Sequence, residues 1–326
     1  MAVFTLRFDF RNPDFAQTAM ADRYAAAIDM AAWADGLGCA AVTFSEHHGF
    51  ADGYLPAPLA MASAVAARTS RAQLMVAAIP APLYDPLRLA EEVAVVDLVS
   101  RGRMSLVLAN GYMADEFAMF GVSMTDRAKL TTETVRVLRA AWTGEPFEYR
   151  GRTVRVTPAP FRPGGPRILL GGAVEAVARR AARIADGFAP NWGGVWEHYR
   201  DERVKLGHPD PGPYVGGFGR FVHLSKDPER DWARIRPHAL HESTQYGAHA
   251  AASGTAGRGT YEIPDDPEDL RTSGQYRVLA PEEMVAELKA DGDRAAVGFH
   301  PLMGGIPPEL AWESLKLFEA EVLPYV

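Results

Sequence analysis

A single cysteine, Cys39, occurs in 326 residues, so no internal disulfide is possible. Beside Gly38, at the start of an apolar segment, it reads as a small buried thiol rather than a reactive one. Positive charge is in deficit: 34 Lys and Arg stand against 41 Asp and Glu, a formal net charge of -7. That leaves no basic field to draw nucleic acid or an anionic membrane. Long uncharged runs are missing too. Arg7 and Asp9 interrupt the amino-terminal apolar stretch, and no segment approaches the roughly 20 residues that a membrane span needs. The expected setting is the cytoplasm. Also absent are GxGxxG, a P-loop, a Gly-x-Ser-x-Gly elbow, HExxH and Cys-x-x-Cys. A built-in dinucleotide domain, NTP hydrolysis of the usual kind, an α/β-hydrolase triad and a zinc site therefore lack support.

What is present is a recurring strand-then-helix signal. Apolar strand patterns over 3–10, 40–45, 72–79 and 104–109 alternate with helical patterns over 21–36, 58–68, 87–100 and 126–142. With no return hairpin among them, these units predict a parallel sheet. Residues 144–157 differ in kind, because Phe147-Glu148-Tyr149 and Thr153-Val154-Arg155-Val156 flank Arg150-Gly151-Arg152 as an inserted β-hairpin would. The rhythm then resumes, with strands expected over 167–170, 188–192, 214–224 and 295–302 and helices over 175–185, 196–206, 227–244, 281–291 and 307–323. Residues 245–275 lose periodicity and read as a long mobile loop, a lid. The prediction is one α/β domain over 1–326, a (β/α)8 TIM barrel of eight strands carrying the hairpin and the loop.

Residues 40–48, Ala-Ala-Val-Thr-Phe-Ser-Glu-His-His, end an apolar run in a carboxylate and two imidazoles. Strand carboxyl ends are where parallel α/β proteins place ligands and catalysis. Neighbouring residues of an extended strand face opposite ways, so His47 and His48 do not both reach one ion, and no metal is expected. His47 is the candidate acid–base group, against the alternative of a structural histidine. Other strand ends carry Asn110-Gly111, Gly172-Ala173 and Asn191-Trp192. Gly172 and Ala173 open a helix whose backbone N–H groups suit a phosphate, though two glycines also make an ordinary turn. His223, His238, His241, His249 and His300 read as scattered, without a constellation. Phe8, Phe10, Glu46 and Met113 are candidates for a substrate pocket, and the aromatic and aliphatic character of Phe8, Phe10, Met113 and Trp192 suggests an apolar organic ligand.

Taken together, the segments Ser45-Glu46-His47-His48, Asp85 to Glu92, Asp97 to Arg103, Asp115-Glu116-Phe117, Ala182 to Gly187 and Ser314 to Phe318 give the chain a resemblance to the bacterial luciferase-like flavin-dependent monooxygenases. The resemblance covers nearly the whole length. It implies a two-component enzyme: a separate reductase supplies reduced FMN (FMNH2), which with O2 forms a peroxyflavin that oxygenates a small apolar substrate. It implies further that His47 is catalytic, that Ala77-Ala78 forms a non-prolyl cis peptide beside the flavin ring, and that Asn110, Gly111, Gly172, Ala173 and Trp192 contact the cofactor. A homodimer is expected on the same ground. Bacterial luciferase carries a cysteine, a phosphate-contacting arginine and a tyrosine where this chain has Ala109, Asn110 and Met113. Two alternatives stay open: a deazaflavin-dependent hydride-transferring oxidoreductase on the same fold, and a non-catalytic flavin-binding protein.

Overall fold

The computed structural model describes residues 2–216, 221–252, 254 and 266–326. In chain order the elements are β1 (Val3–Phe8), α1 (Met20–Gly36), β2 (Ala41–Phe44), α2 (Pro58–Arg68), β3 (Gln73–Pro80), α3 (Pro86–Ser100), β4 (Met104–Ala109), α4 (Ala114–Met119), α5 (Arg127–Ala141), β5 (Phe147–Tyr149) and β6 (Arg152–Val154). There follow β7 (Arg167–Gly172), α6 (Glu175–Ile184), β8 (Gly187–Pro190), α7 (Trp196–Lys205), β9 (Phe221–Leu224), α8 (Pro228–Ala252), α9 (Pro267–Thr272), β10 (Tyr276–Leu279), α10 (Pro281–Asp291), β11 (Ala296–Phe299) and α11 (Pro308–Leu317). They form two compact units, one of Met1–Thr43, Phe50–Pro56 and Gly217–Val326, the other of Phe44–Gly49 and Ala57–Gly216.

In the second unit β3, β4, β7 and β8 are neighbours in that order. All three pairings are parallel, with Leu106 opposite Ile168 and Leu170 opposite Phe188. Val76, Leu106, Leu108, Ile168 and Leu170 are buried; such apolar runs mark strands covered on both faces. The register of β3 on β4 shifts between Ala77 and Ile79, where the Ala77–Ala78 peptide is cis. Helix α3 starts cleanly because Asp85 accepts from the backbone N–H of Leu87 and Arg88 and Pro86 needs no partner for a missing N–H. It stops at Arg101, which is left-handed at φ 55°. The buried Arg103 that follows aims its guanidinium mainly at backbone carbonyls. Nε donates to Ser100 O at 2.8 Å, Nη1 to Ala72 O at 2.8 Å and Thr69 Oγ1 at 2.9 Å, and Nη2 to Ala66 O at 3.1 Å and Thr69 O at 3.0 Å. The end of α2 and the start of β3 are thereby tied to the β4 turn. β5 and β6 pair antiparallel through Arg150-Gly151, both at positive φ, as a tight hairpin turn demands.

In the first unit β1 lies between β11 and β2, with Phe4 opposite Val297 and Leu6 opposite Phe299 in the parallel β1–β11 pair. Phe4 and Phe299 pack edge-on against Phe318, at 5.1 and 4.9 Å between ring centres. Cys39 is buried here, and burial pushes its thiol up to about 12. No described helix is long and apolar enough to cross a membrane.

Three expectations need correction. A strand absent from the sequence reading, β10, pairs parallel with β9; its four residues follow the non-periodic stretch too closely to show a pattern of their own. Helix α8 does not stop near Thr244 but runs to Ala252, across Pro237. The expected loop 245–275 therefore begins in helix and ends in α9, which a capping box at Asp266 starts; residues 253 and 255–265 lie outside the described residues. The expected strand 214–224 contributes Phe221–Leu224, with 217–220 outside the described residues.

β9 buries His223, stacked on Phe221, and burial lowers its imidazole pKa to about 4, partly opposed by Asp231 and aided by Arg234. The unfolded chain takes up this proton near pH 6.5 and the folded one only near 4, so stability falls as pH drops through that window and levels off below it. Urea unfolding is expected to lose roughly 2–3 kcal/mol between pH 7 and 4 from this group, a slope that disappears in His223→Leu.

Candidate functional site

Three residues beyond β2 the chain delivers His47 into the second unit. Its Nδ1 donates to Glu116 Oε1 at 2.7 Å, and the same oxygen accepts the His48 backbone N–H at 2.9 Å. Glu116 stands on α4 and is only 2% exposed. A buried carboxylate needs donors around it, and these two come from one loop 68 residues away. With Nδ1 protonated towards Glu116, Nε2 carries the ring's lone pair. Tyr112 Oη lies 3.3 Å from that nitrogen. His48 turns elsewhere: its Nε2 donates to Glu46 Oε1 at 2.9 Å, which also accepts Tyr84 Oη at 2.7 Å. Burial raises the Glu46 pKa against the pull of His48 and Tyr84, and burial beside Glu46 raises that of Tyr84. The second Glu46 oxygen, Oε2, is buried without a partner. His47 and His48 thus serve different carboxylates.

The strand ends of this unit bring most of the other candidates together. Ala109 is opposite Pro80 on one side and Gly171 on the other, so Asn110-Gly111 and Gly172-Ala173 line adjacent strand ends, with Ala77-Ala78 two residues short of the end of the neighbouring β3. Trp192, 41% exposed, follows β8 and donates Nε1–H to Ala173 O at 3.2 Å. Gly111, at φ 73°, presses on Phe117, which a Cβ there would meet at 2.7 Å. Met113 begins α4. Arg180 on α6 donates to Asn110 Oδ1 at 3.3 Å. The donor set fits a flavin: small apolar strand ends, an oriented imidazole, a buried carboxyl oxygen left without a partner, and a cation beside the helix start.

Phe8 and Phe10 lie in the first unit, both fully buried, with the Phe10 ring centre 4.3 Å from that of Tyr24.

Also in the first unit, histidines read as scattered turn out to be paired. His241 Nε2 donates to Asp52 Oδ2 at 2.7 Å, and Arg11 Nη1 reaches the same oxygen at 2.5 Å. Arg11 lies within 5.2 Å of the ring centres of Phe50, Tyr54 and Tyr246. His300 sits between two buried carboxylates, with Nε2 at 3.4 Å from Asp9 Oδ2 and Nδ1 at 3.4 Å from Glu242 Oε1. His300 and Arg11 outweigh burial and hold the Asp9 carboxyl below the usual carboxylate range. Ligand-capable atoms of Asp9, Glu242 and His300 lie within 4.8 Å of one another, but the ring turns a different nitrogen to each carboxylate. That arrangement suits a bridging imidazole, and Arg11 and Arg23 already supply positive charge near Asp9. The signal missed was Asp9-x-Arg11 at the end of one strand and His300 directly after another.

The luciferase-like monooxygenase family model matches residues 3–298. An FMNH(2)-dependent dimethylsulfone monooxygenase of Pseudomonas fluorescens (strain Pf0-1) is 29% identical over 143 residues, which are 42% of this chain and 39% of that protein. An F420-dependent glucose-6-phosphate dehydrogenase of Amycolatopsis mediterranei (strain U-32) is 27% identical over 291 residues, 83% and 84% of the two chains. The oxygenating constituent of 3,6-diketocamphane monooxygenase from the CAM plasmid of Pseudomonas putida, in complex with FMN, shares the fold at a TM-score of 0.73 and 18% identity, over 100% of this chain and 99% of that one. The chain spans about two fifths of the length of the first of these relatives and most of the others. With the family model matched from the first strand to the last, the chain is an enzyme of the luciferase-like monooxygenase family.

Proposed function

We propose that this chain is the oxygenating component of a two-component monooxygenase, taking reduced FMN from a separate flavin reductase and using O2 to oxygenate a small organic substrate. The observation that carries the reading is the His47–Glu116 contact of 2.7 Å, which fixes the imidazole and leaves Nε2 for proton transfer. Reduced flavin supplies, when bound, the two electrons that activate O2. Everything else falls to the chain. Ala77, Ala78, Asn110, Gly111, Gly172, Ala173 and Trp192 would hold the cofactor, and His47 Nε2 would accept or return a proton at the reacting end. Glu116 acts through His47 as a positioning residue. The lack of a dinucleotide fingerprint supports the separate reductase. Eight-stranded barrel closure belongs to the same reading, supported by the full-length likeness to the FMN-bound protein. With Phe8 and Phe10 in the core, an apolar substrate is supported by Met113 and Trp192. On α3, Val95, Leu98 and Val99 are 46%, 38% and 41% exposed. Their i, i+3, i+4 spacing makes one apolar stripe, which supports a homodimer.

The second reading, hydride transfer with a deazaflavin, is favoured by the F420-dependent relative matched over 83% of this chain. Anaerobic fluorescence titration with reduced FMN and with F420 separates the two. Tighter binding of reduced FMN, followed by O2 consumption when air is admitted, is the expected result; preference for F420 without O2 uptake would transfer the chain to the hydride branch.

Once a substrate is known, His47→Ala is expected to lower kcat by about 10²–10⁴ with flavin affinity unchanged within about twofold. Glu116→Gln, which keeps the ring but weakens its orientation, is expected to cost roughly 10- to 100-fold. Full coupled turnover in His47→Ala would remove the proton-transfer role.

A further inference from the structure

Helix α6 carries three arginines in five positions, and two have obvious partners. Arg179 pairs with Glu175 at 2.7 Å and Glu202 at 3.2 Å, and Arg183 with Glu202 at 2.7 Å. Arg180 differs. Among the described residues no carboxylate lies within ion-pair distance of it, and its one hydrogen bond goes to a neutral amide, Asn110 Oδ1, at 3.3 Å. The guanidinium is nonetheless half-buried, and burial alone lowers its pKa. A sheltered cation without a counter-ion is costly unless an anion joins it.

Its position says where that anion lies. Residues 173, 176 and 180 fall on one face of the helix and its approach, and 173 and 176 are alanines with nothing to fill the space. Long helical side chains lean towards the helix amino terminus, which carries Arg180 back over Ala176. There it meets Asn110, because Ala109 is opposite Gly171 in the β4–β7 pair. The N-cap residue, Val174, gives no side-chain cap and its carbonyl takes the N–H of Val177, which leaves the N–H groups of Glu175 and Ala176 at the same corner as the guanidinium.

We infer that Arg180 is the side chain that selects a phosphate-bearing flavin over an uncharged one, with Asn110 holding it in place. The assignment rests on the flavin reading above. Arginine suits the task because its planar fork matches phosphate oxygens, and the Asn110 contact occupies only one of its donors.

Titration of the purified full chain with FMN and with riboflavin, followed by flavin fluorescence, tests it without turnover. The wild type is expected to prefer FMN, and Arg180→Ala to weaken FMN by about 10- to 100-fold while riboflavin binding stays within about twofold. Arg180→Lys should recover part of the loss. Asn110→Asp is the sharper variant: it strengthens the internal contact by giving Arg180 a fixed anion, yet it is expected to weaken FMN, since that anion competes with phosphate. An unchanged FMN-to-riboflavin ratio in Arg180→Ala, or FMN binding undiminished in Asn110→Asp, overturns the assignment alone. Failure of the wild type to bind either flavin overturns the FMN reading and this assignment with it.

Discussion

Burying a carboxylate is tolerable only if donors are built around it, and the candidate site is organised by the way this chain meets that condition at Glu116. One of its oxygens takes both the His47 imidazole and the His48 amide. Those donors belong to a loop with little regular structure of its own, so the carboxylate sets the loop's conformation as well as the ring's. The consequence reaches His48, whose side chain is directed to Glu46 and Tyr84 and away from His47. Adjacent imidazoles acquire separate environments from a single buried charge.

The strand ends supply the other half. β3, β4, β7 and β8 are short, parallel and apolar on both faces, so polar groups are admitted only where the strands stop. Neighbouring strands stop at the same level, as the pairing of Pro80 with Ala109 and Ala109 with Gly171 shows. Residues more than ninety positions apart in sequence thus border one surface, and the tight approach of Gly111 to Phe117 packs one wall of it.

Elements of strong period were legible in the sequence. α2 and β4 lie where the apolar pattern puts them, and His47 was identifiable as a polar residue ending an apolar run. What escaped depended on partners distant in sequence. Glu116 enters the sequence only as one of two adjacent acidic residues, Asp115-Glu116, and nothing local marks it as the mate of His47. α8 outran its expected end because Tyr246, bonded to Tyr54 and Arg7, and His249, packed edge-on against Phe50, anchor its last turns from the side, which local propensity around Gly247 does not reveal. Phe8 and Phe10 illustrate a further limit: aromatic character points to burial, which both show, but not to whether the ring meets a ligand or a helix. Arg180 sits between two arginines that neutralise glutamates, and only the three-dimensional pairing separates it from them.

Arg103 gives a final consequence. Five of its hydrogen bonds go to uncharged oxygens, four of them main-chain carbonyls at the end of α2 and in the turns around it. The guanidinium therefore works as an internal bracket, facing a fan of carbonyl dipoles. Buried hydrogen bonds of this kind are screened by salt far less than exposed charges, so the sheet bearing the candidate site keeps its alignment under conditions that loosen surface ion pairs. Lysine, a point charge with three donors on one atom, has no geometry with which to span the same gap.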